Sequence, residues 1–441
     1  MGLCQPAGRR GADGRGRAVT AATRDRPEGL AAYMAVTAAY WAFMLTDGAL
    51  RMLVLLHFHT LGFSAVQLAY LFILYELAGM ITNLAAGWIA ARFGLTPTLY
   101  AGLGLQVAAL LALSQLDPGW GIAASVAFVM CVQGVSGVAK DLAKMSSKSA
   151  VKLLAPEGAG LFRWVAVLTG SKNAVKGLGF LLGAALLAGI GFDGAVLGMA
   201  AVLAVILACV AVFMPAGLPK GRKGAKISEV FSRSSNVNWL SAARVFLFGA
   251  RDVWFVVGIP IYFYAVLSDG SEAGNRAAFF MIGSFMAVWV ILYGAVQAGA
   301  PRILRAASRP EAALIRAARG WALALFAIPA ALCVAVALSS GPQAWLTATL
   351  VAGLLAFGAV FAVNSSLHSY LILAFTRSER VTMDVGFYYM ANAAGRLGGT
   401  LLSGLSYQAG GLALVMGTAA VMVALSALAA GQLQDSGAGT E

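Results

Sequence analysis

The sequence predicts an all-α membrane protein of about twelve transmembrane helices, arranged as two pseudo-symmetric six-helix halves. Three observations lead there. Of the 441 residues, 60% are hydrophobic and 11% charged, and the mean hydropathy is +0.82, a composition suited to a chain whose solvent is lipid. Apolar runs of about 20 residues recur along nearly the whole length, and a helix needs that many to cross about 30 Å of hydrocarbon. The longest hydrophilic stretch between runs, "PAGLPKGRKGAKISEVFSRSSN" at 215–236, falls at the middle of the chain, where a linker would join two halves.

Residues 1–29 are Gly- and Arg-rich and are expected to form a disordered basic tail. The apolar run that follows is too long for the core of a secretory signal and lacks a small-residue cleavage site, so none is expected. The N-terminal half, 30–214, carries helix cores at 33–57, 65–90, 98–116, 119–147, 161–189 and 193–214, each bounded by Gly, Pro or charge. Beyond the linker, the C-terminal half at 237–432 carries cores at 239–266, 276–299, 315–338, 344–374, 382–407 and 411–430, before a short tail at 433–441. "FMLTDGALRMLVLLHFH" in the first helix echoes "FLFGARDVWFVVGIPIYFY" in the seventh, with Asp47 and Asp252 in matching places, as a duplicated chain would show.

Charge in the connections sets an orientation. One side collects the arginines of the N-terminal tail, Arg92, Lys148, Lys152, Lys220, Arg222, Arg302, Arg316 and Arg377, while the other holds Asp117, Asp193, Asp269 and Glu272 with Arg276. The positive-inside rule places both termini in the cytoplasm, and it accounts for most of the net charge of +13 without a polyanionic partner. Nucleic acid is not expected as a partner, because the bases form no soluble basic domain with interleaved aromatics. Cys4, Cys131, Cys209 and Cys333 stand singly, so neither a disulfide framework nor a metal site is indicated. The chain lacks a GxxxxGK[ST] loop, a nucleophile elbow and an HExxH pair, so no catalytic residue, cofactor or enzyme activity is expected.

The informative residues are the charges inside the apolar runs. Counting 1.5 Å per residue from Leu161 puts Lys172 about 16 Å and Lys176 about 22 Å into the membrane. The same count puts Glu76, Arg251, Asp252 and Arg396 near mid-depth, with Asp47 and Arg51 in the middle or outer half of their helix. A charge there costs at least about 2.5 to 3.5 kcal/mol, so it should meet a partner or an aqueous cavity. Internal pairing is one reading, and it suits Asp47 with Arg51 and Glu76 with a lysine of the fifth helix. It does not absorb all the bases: Arg51, Lys140, Lys144, Lys172, Lys176, Arg244, Arg251 and Arg396 face only Asp47, Glu76, Asp141 and Asp252, leaving about four positive charges over. Lys172 with Lys176, and Lys140 with Lys144, are spaced i, i+4, so each pair projects from one helix face, where an anion between them relieves repulsion. A multiply charged oxyanion suits such a site, with lysines as point charges and arginines as planar forks.

Counted from Trp120, Lys140 falls near the cytoplasmic edge, where snorkelling would suffice for it, for Lys144 and for Lys148 and Lys152. His57 and His59 fall at the non-cytoplasmic interface, as solvated residues or as titrating ones. His368, flanked by Asn364, Ser365, Ser366, Ser369 and Tyr370, either contacts solute or bonds between helices. The coupling ion stays open among Asp47, Glu76, Asp384 and the histidines.

"GWIAARFG" at 87–94 resembles the G-x-L-A-D-R-x-G loop of the major facilitator superfamily, with Gly87, Arg92 and Gly94 matching and Ala91 at the acidic position. Where proton-coupled drug antiporters of that superfamily carry R-x-x-Q-G, this chain has Met130 to Gly134, without the arginine; that alignment sets Lys140 deeper than the bare count does. "YWAFMLTDGALRMLVLLHFHTLGFS", "SGVAKDLAKMSSKSAVKLL", "WVAVLTGSKNAVKGLGF" and "ARVFLFGARDVWFVVGIPIY" resemble the organoarsenical-efflux branch, over about residues 33–430. The resemblance implies the major facilitator fold and a bacterial cytoplasmic (inner) membrane. It also implies export of 1-arseno-3-phosphoglycerate, working with a glyceraldehyde-3-phosphate dehydrogenase that makes it. Such a solute has phosphate at one end and an arsenate ester at the other. The first choices to hold it are Lys172, Lys176, Arg251 and Arg51; Arg244, Lys140, Lys144 and Arg396 come second, and Asp47, Glu76, Asp252 and Asp141 orient them. A different phosphorylated or organic anion is the nearest alternative, and an anion channel or a receptor the next.

Overall fold

The computed structural model describes residues 26–154, 159–214, 234–305, 309–376 and 381–435. Their regular structure is helical: α1 (Arg26–Thr60), α2 (Ala65–Tyr70), α3 (Ile73–Phe93), α4 (Leu95–Leu113), α5 (Ile122–Leu154), α6 (Ala159–Phe213), α7 (Ser235–Val253), a π-helical turn (Trp254–Gly258), α8 (Ile259–Leu267), α9 (Glu272–Leu304), α10 (Glu311–Ala337), α11 (Ala344–Phe375) and α12 (Val381–Ala430). Most of the expected linker and of both tails lies outside the described residues.

Two boundaries differ from expectation. Helix α1 starts at Arg26, inside the stretch expected to be disordered, because Pro27 falls in the first turn, where its missing N–H costs nothing. Helix α5 runs on to Leu154, since no Gly or Pro interrupts "SSKSAVKLL"; Lys148 and Lys152, assigned to a connection, thus continue the helix.

Ten helical stretches among the described residues are long and apolar enough to cross a membrane. Two of them are double. Gly191 (φ 73°) in α6 and Gly411 (φ 60°) in α12 adopt backbone that only glycine enters without strain, and each breaks its helix into two arms. Twelve crossings result, close to the expected cores. The span Ser235–Leu267 combines α7, the π turn and α8, and in the π turn the Val257 and Gly258 N–H groups both donate to Ser403 Oγ, 3.2 Å each. Asn236 at the start of α7 exchanges hydrogen bonds with the backbone of Gln434, 2.8 and 2.9 Å, so the chain end returns to the face where α7 begins. That side is called the near face below.

Glycine sets the helix spacing in both halves. A Cβ at Gly183 in the first arm of α6 would strike the Ala49 carbonyl of α1, and one at Gly395 in the first arm of α12 would strike the Val245 carbonyl of α7. The first and fifth crossings of each half thus meet through a backbone-to-backbone seam, as small residues allow in lipid. Gly183→Val is expected to lower the thermal unfolding temperature in detergent, with overpacking costing about 1–3 kcal/mol. An unchanged unfolding temperature would mean that the seam can spread without loss.

The apolar clusters show how the halves meet. At the far face, Leu53, Phe58, Phe63, Leu68, Leu113 and Phe192 of the first half share a cluster with Val256, Val257 and Ile261 of the second. Midway, Met52, Leu56, Phe180 and Ala184 join Trp254, Trp289 and Phe361. Toward the near face the clusters separate, one built around Val36, Tyr40, Leu99 and Leu203, the other around Val237, Leu314, Leu371 and Tyr388. Among the described residues, therefore, apolar packing seals the two halves at the far face and leaves each with its own core at the near face.

Candidate functional site

Between those separate cores and the far seal lies a layer of charge. Glu76 of α3 accepts from Arg51 of α1 (2.5 Å) and from Arg396 of the first arm of α12 (2.5 Å), so one carboxylate ties the two halves together. Arg396 also lies 3.4 Å from Asp252 of α7, which accepts from its neighbour Arg251 at 2.5 and 2.6 Å. The result is a continuous chain: Arg51, Glu76, Arg396, Asp252, Arg251. Beside it, Asp47 accepts from Lys176 (2.8 Å) and from the Tyr75 hydroxyl (2.5 Å). Toward the near face in the first half, Asp141 accepts from Lys144 (2.6 Å) and Thr82 (3.1 Å), while Lys144 also donates to Asn83 (2.7 Å).

The acid partners expected from sequence are exchanged. Asp47 pairs with Lys176 rather than Arg51, and Glu76 with Arg51 and Arg396 rather than with a lysine of the fifth crossing. Packing across the α1–α6 seam brings the lysine to Asp47, and the inter-half contact brings Arg396 to Glu76. Lys140, placed near the membrane edge by counting from Trp120, packs inside the protein beside the ionic layer. It is buried with its Nζ 4.0 Å from the centre of the Tyr75 ring. Its neighbours at this level are Tyr75 and Gly79 in the first two turns of α3, which a count along one helix could not know.

Lys140 and Arg244 have no carboxylate within ion-pair distance among the described residues. Arg244 donates instead to the Ser365 carbonyl (2.9 Å) and hydroxyl (3.1 Å) and to Asn392 (3.3 Å), between the rings of Phe248 and Tyr388. Lys172 is half-buried, one turn closer to the near face than Lys176. His57 stacks on Phe192, His59 meets the Tyr264 ring edge-on, and His368 is fully buried away from this layer.

Exposure separates acids from bases. The side chains of Asp47, Glu76, Asp141 and Asp252 are 0–1% exposed, whereas those of Arg51, Lys144, Lys176, Arg251 and Arg396 are 10–19% exposed. The carboxylates are shut off from solvent, and these five bases keep a small exposed fraction. Such a surface has positive charge held in fixed positions and partly reachable by solvent, the arrangement that recognises a multiply charged anion. Tyr75, whose hydroxyl orients Asp47 and whose ring lies under Lys140 and Arg51, escaped the sequence reading. Its position beside Glu76 was the available signal.

A multi-pass membrane protein with two six-helix halves around an ionic centre has the major facilitator fold. In agreement, a crystal structure of a POT family transporter in complex with 5-aminolevulinic acid superposes on this chain with a TM-score of 0.66 and 14% identity, covering 92% of this chain and 95% of that one. No family model matches the sequence, and neither does any curated protein.

Proposed function

We propose that the chain is a secondary transporter of a phosphorylated organic anion, and specifically that it exports 1-arseno-3-phosphoglycerate and so confers resistance to arsenate. The observation that carries the anion is the contrast in exposure between the four buried acids and their partners Arg51, Lys144, Lys176, Arg251 and Arg396, which keep 10–19%. The fold supports alternating access, since the halves are sealed by apolar packing at one face and keep separate cores at the other. The Lys and Arg bias of the connections makes the near face cytoplasmic, with 30–214 and 237–432 as the halves and 215–236 as their linker, in the bacterial inner membrane. The particular solute rests on the resemblance of the helix 1, 4, 5 and 7 segments to organoarsenical exporters. A glyceraldehyde-3-phosphate dehydrogenase would be the functional partner that supplies it. Pentavalent arsenic in an oxyanion calls for Lys and Arg rather than thiolates, and the array is of that kind.

The test is uptake into everted membrane vesicles containing the protein, with arsenate, the dehydrogenase and its substrates outside. Accumulation of arsenic that requires the dehydrogenase and is lost in Lys172→Ala is the expected result. Vesicles that take up 3-phosphoglycerate but no arsenical would retain the anion transporter and replace its solute; vesicles that take up neither would overturn the proposal.

A further inference from the structure

At the near face, α9 and α10 meet in a corner that the ionic layer does not use. Leu304 at the end of α9 shares an apolar cluster with Leu314, Ile315 and Ala318 of α10, which brings the two helix ends together. Within and beside these turns stand Arg302, Arg305, Arg309, Arg316 and Arg319, all exposed, and Glu311 is the only acid in that stretch of sequence. Arg302, Arg309, Arg316 and Arg319 make no ion pair or side-chain hydrogen bond among the described residues.

The positive-inside rule asks for positive charge on one side of the membrane and is indifferent to where on that side it stands. Two of these arginines are placed more closely than that. Arg316 and Arg319 lie past the connection, about 8 and 12 Å along α10 from Glu311, and their spacing of three puts them on one helix face. Leu323 (51% exposed) and Phe326 (37% exposed) continue that face at steps of four and three. Arg319 also reaches α12, where its Cδ lies 3.6 Å from the place a Cβ on Gly431 would take. Just before Gly431, Leu425 and Leu428 of α12 are exposed as well. Farther along, the Cys333 thiol of α10 donates to the Ala413 carbonyl of α12 at 3.3 Å, so the two helices run side by side and antiparallel. The outcome is an exposed apolar strip along α10 and α12 with guanidinium groups at its near end, and Gly320 leaves open space beside Arg319.

We propose that this corner binds an acidic phospholipid with two phosphates in its headgroup, of the cardiolipin type. The phosphates accept from Arg302, Arg309, Arg316 and Arg319, whose planar forks suit phosphate oxygens, and the acyl chains lie along Leu323, Phe326, Leu425 and Leu428. Charge complementarity selects the headgroup: four guanidinium groups without a carboxylate call for more than one negative charge, and a basic pocket between helices on this side is where such headgroups bind. The apolar strip selects a lipid over a free phosphate, which would gain nothing from it. The site lies apart from the ionic layer, so its occupancy does not depend on which solute the chain carries.

Native mass spectrometry of the full chain released from detergent micelles, after exchange with cardiolipin or phosphatidylethanolamine at equal concentration, reads the lipid retained. The wild type is expected to keep cardiolipin and lose phosphatidylethanolamine. Arg316→Gln combined with Arg319→Gln is expected to weaken cardiolipin retention about thirtyfold, through the loss of two arginine-headgroup attractions. Arg302→Gln with Arg309→Gln serves if that pair misfolds. Arg276→Gln, at an exposed position on the far face, is expected to change nothing. Cardiolipin retained equally by both double variants and the wild type, or phosphatidylethanolamine retained as well as cardiolipin, overturns the site. So does arginine-dependent thermal stabilisation by inorganic pyrophosphate in lipid-free detergent equal to that by cardiolipin, which would make the corner a site for soluble anions.

Discussion

Glu76→Ala is expected to destabilise the protein by about 3–5 kcal/mol, the cost of leaving buried cations without their anion. Glu76 is 1% exposed and holds Arg51 and Arg396 at 2.5 Å each, so its loss strands two guanidinium groups that stay largely out of water. Glu76→Gln keeps shape and one acceptor but no charge, and its effect should fall between. Combining Glu76→Leu with Arg396→Leu should recover part of the loss, because the pair is then removed together. Thermal unfolding in detergent measures all three. A shift for Glu76→Ala no larger than that for Glu272→Ala, whose side chain is 82% exposed, would show that the inter-half tie carries no stability.

For function, the largest effect is expected at Arg251. Its side chain is 16% exposed, fixed on Asp252 and close to the rings of Phe248, Phe255 and Phe361, so it is both held in place and open to solute. A charge-assisted hydrogen bond contributes about 1.5–3 kcal/mol, so Arg251→Ala should reduce anion transport by about 10- to 100-fold with the amount of protein in the membrane unchanged. Arg251→Lys keeps the charge but loses the planar fork, and intermediate transport is expected. Equal loss of transport and abundance in the alanine variant would make Arg251 a structural partner of Asp252 instead.

Much of this architecture was legible. Helix cores followed from apolar length, and the tight reversals at Gly191 and Gly411 fell within a residue or two of the gaps left between cores, because glycine and the end of an apolar run mark the same point. The charged residues of the centre were legible for a related reason, since lipid makes any deep charge conspicuous. Their partners were not. On one helix, spacing decides who can meet, and Asp47 and Arg51 are four apart; across helices, the rotation and height of each rod decide, and those depend on seams such as Gly183 against Ala49. The surroundings of Lys140 were not legible, because a count along α5 does not say that Tyr75 and Gly79 of α3 pack against it.

The widened turn at Trp254–Gly258 has a consequence for direction. An α-helix turns about 100° per residue, so one extra residue within a turn rotates the azimuth of all that follows by about that angle. Below the turn, this span carries Arg251 and Asp252 at the ionic layer; at its end and above it, Val257 and Ile261 join the apolar cluster that includes Phe58 and Leu68 of the other half. A regular helix would aim these two sets along bearings about 100° apart from the ones observed, and one of them would miss its target. The span therefore works as two compass needles on one axis, with the Ser403 hydroxyl, bonded to two successive N–H groups, fixing the angle between them.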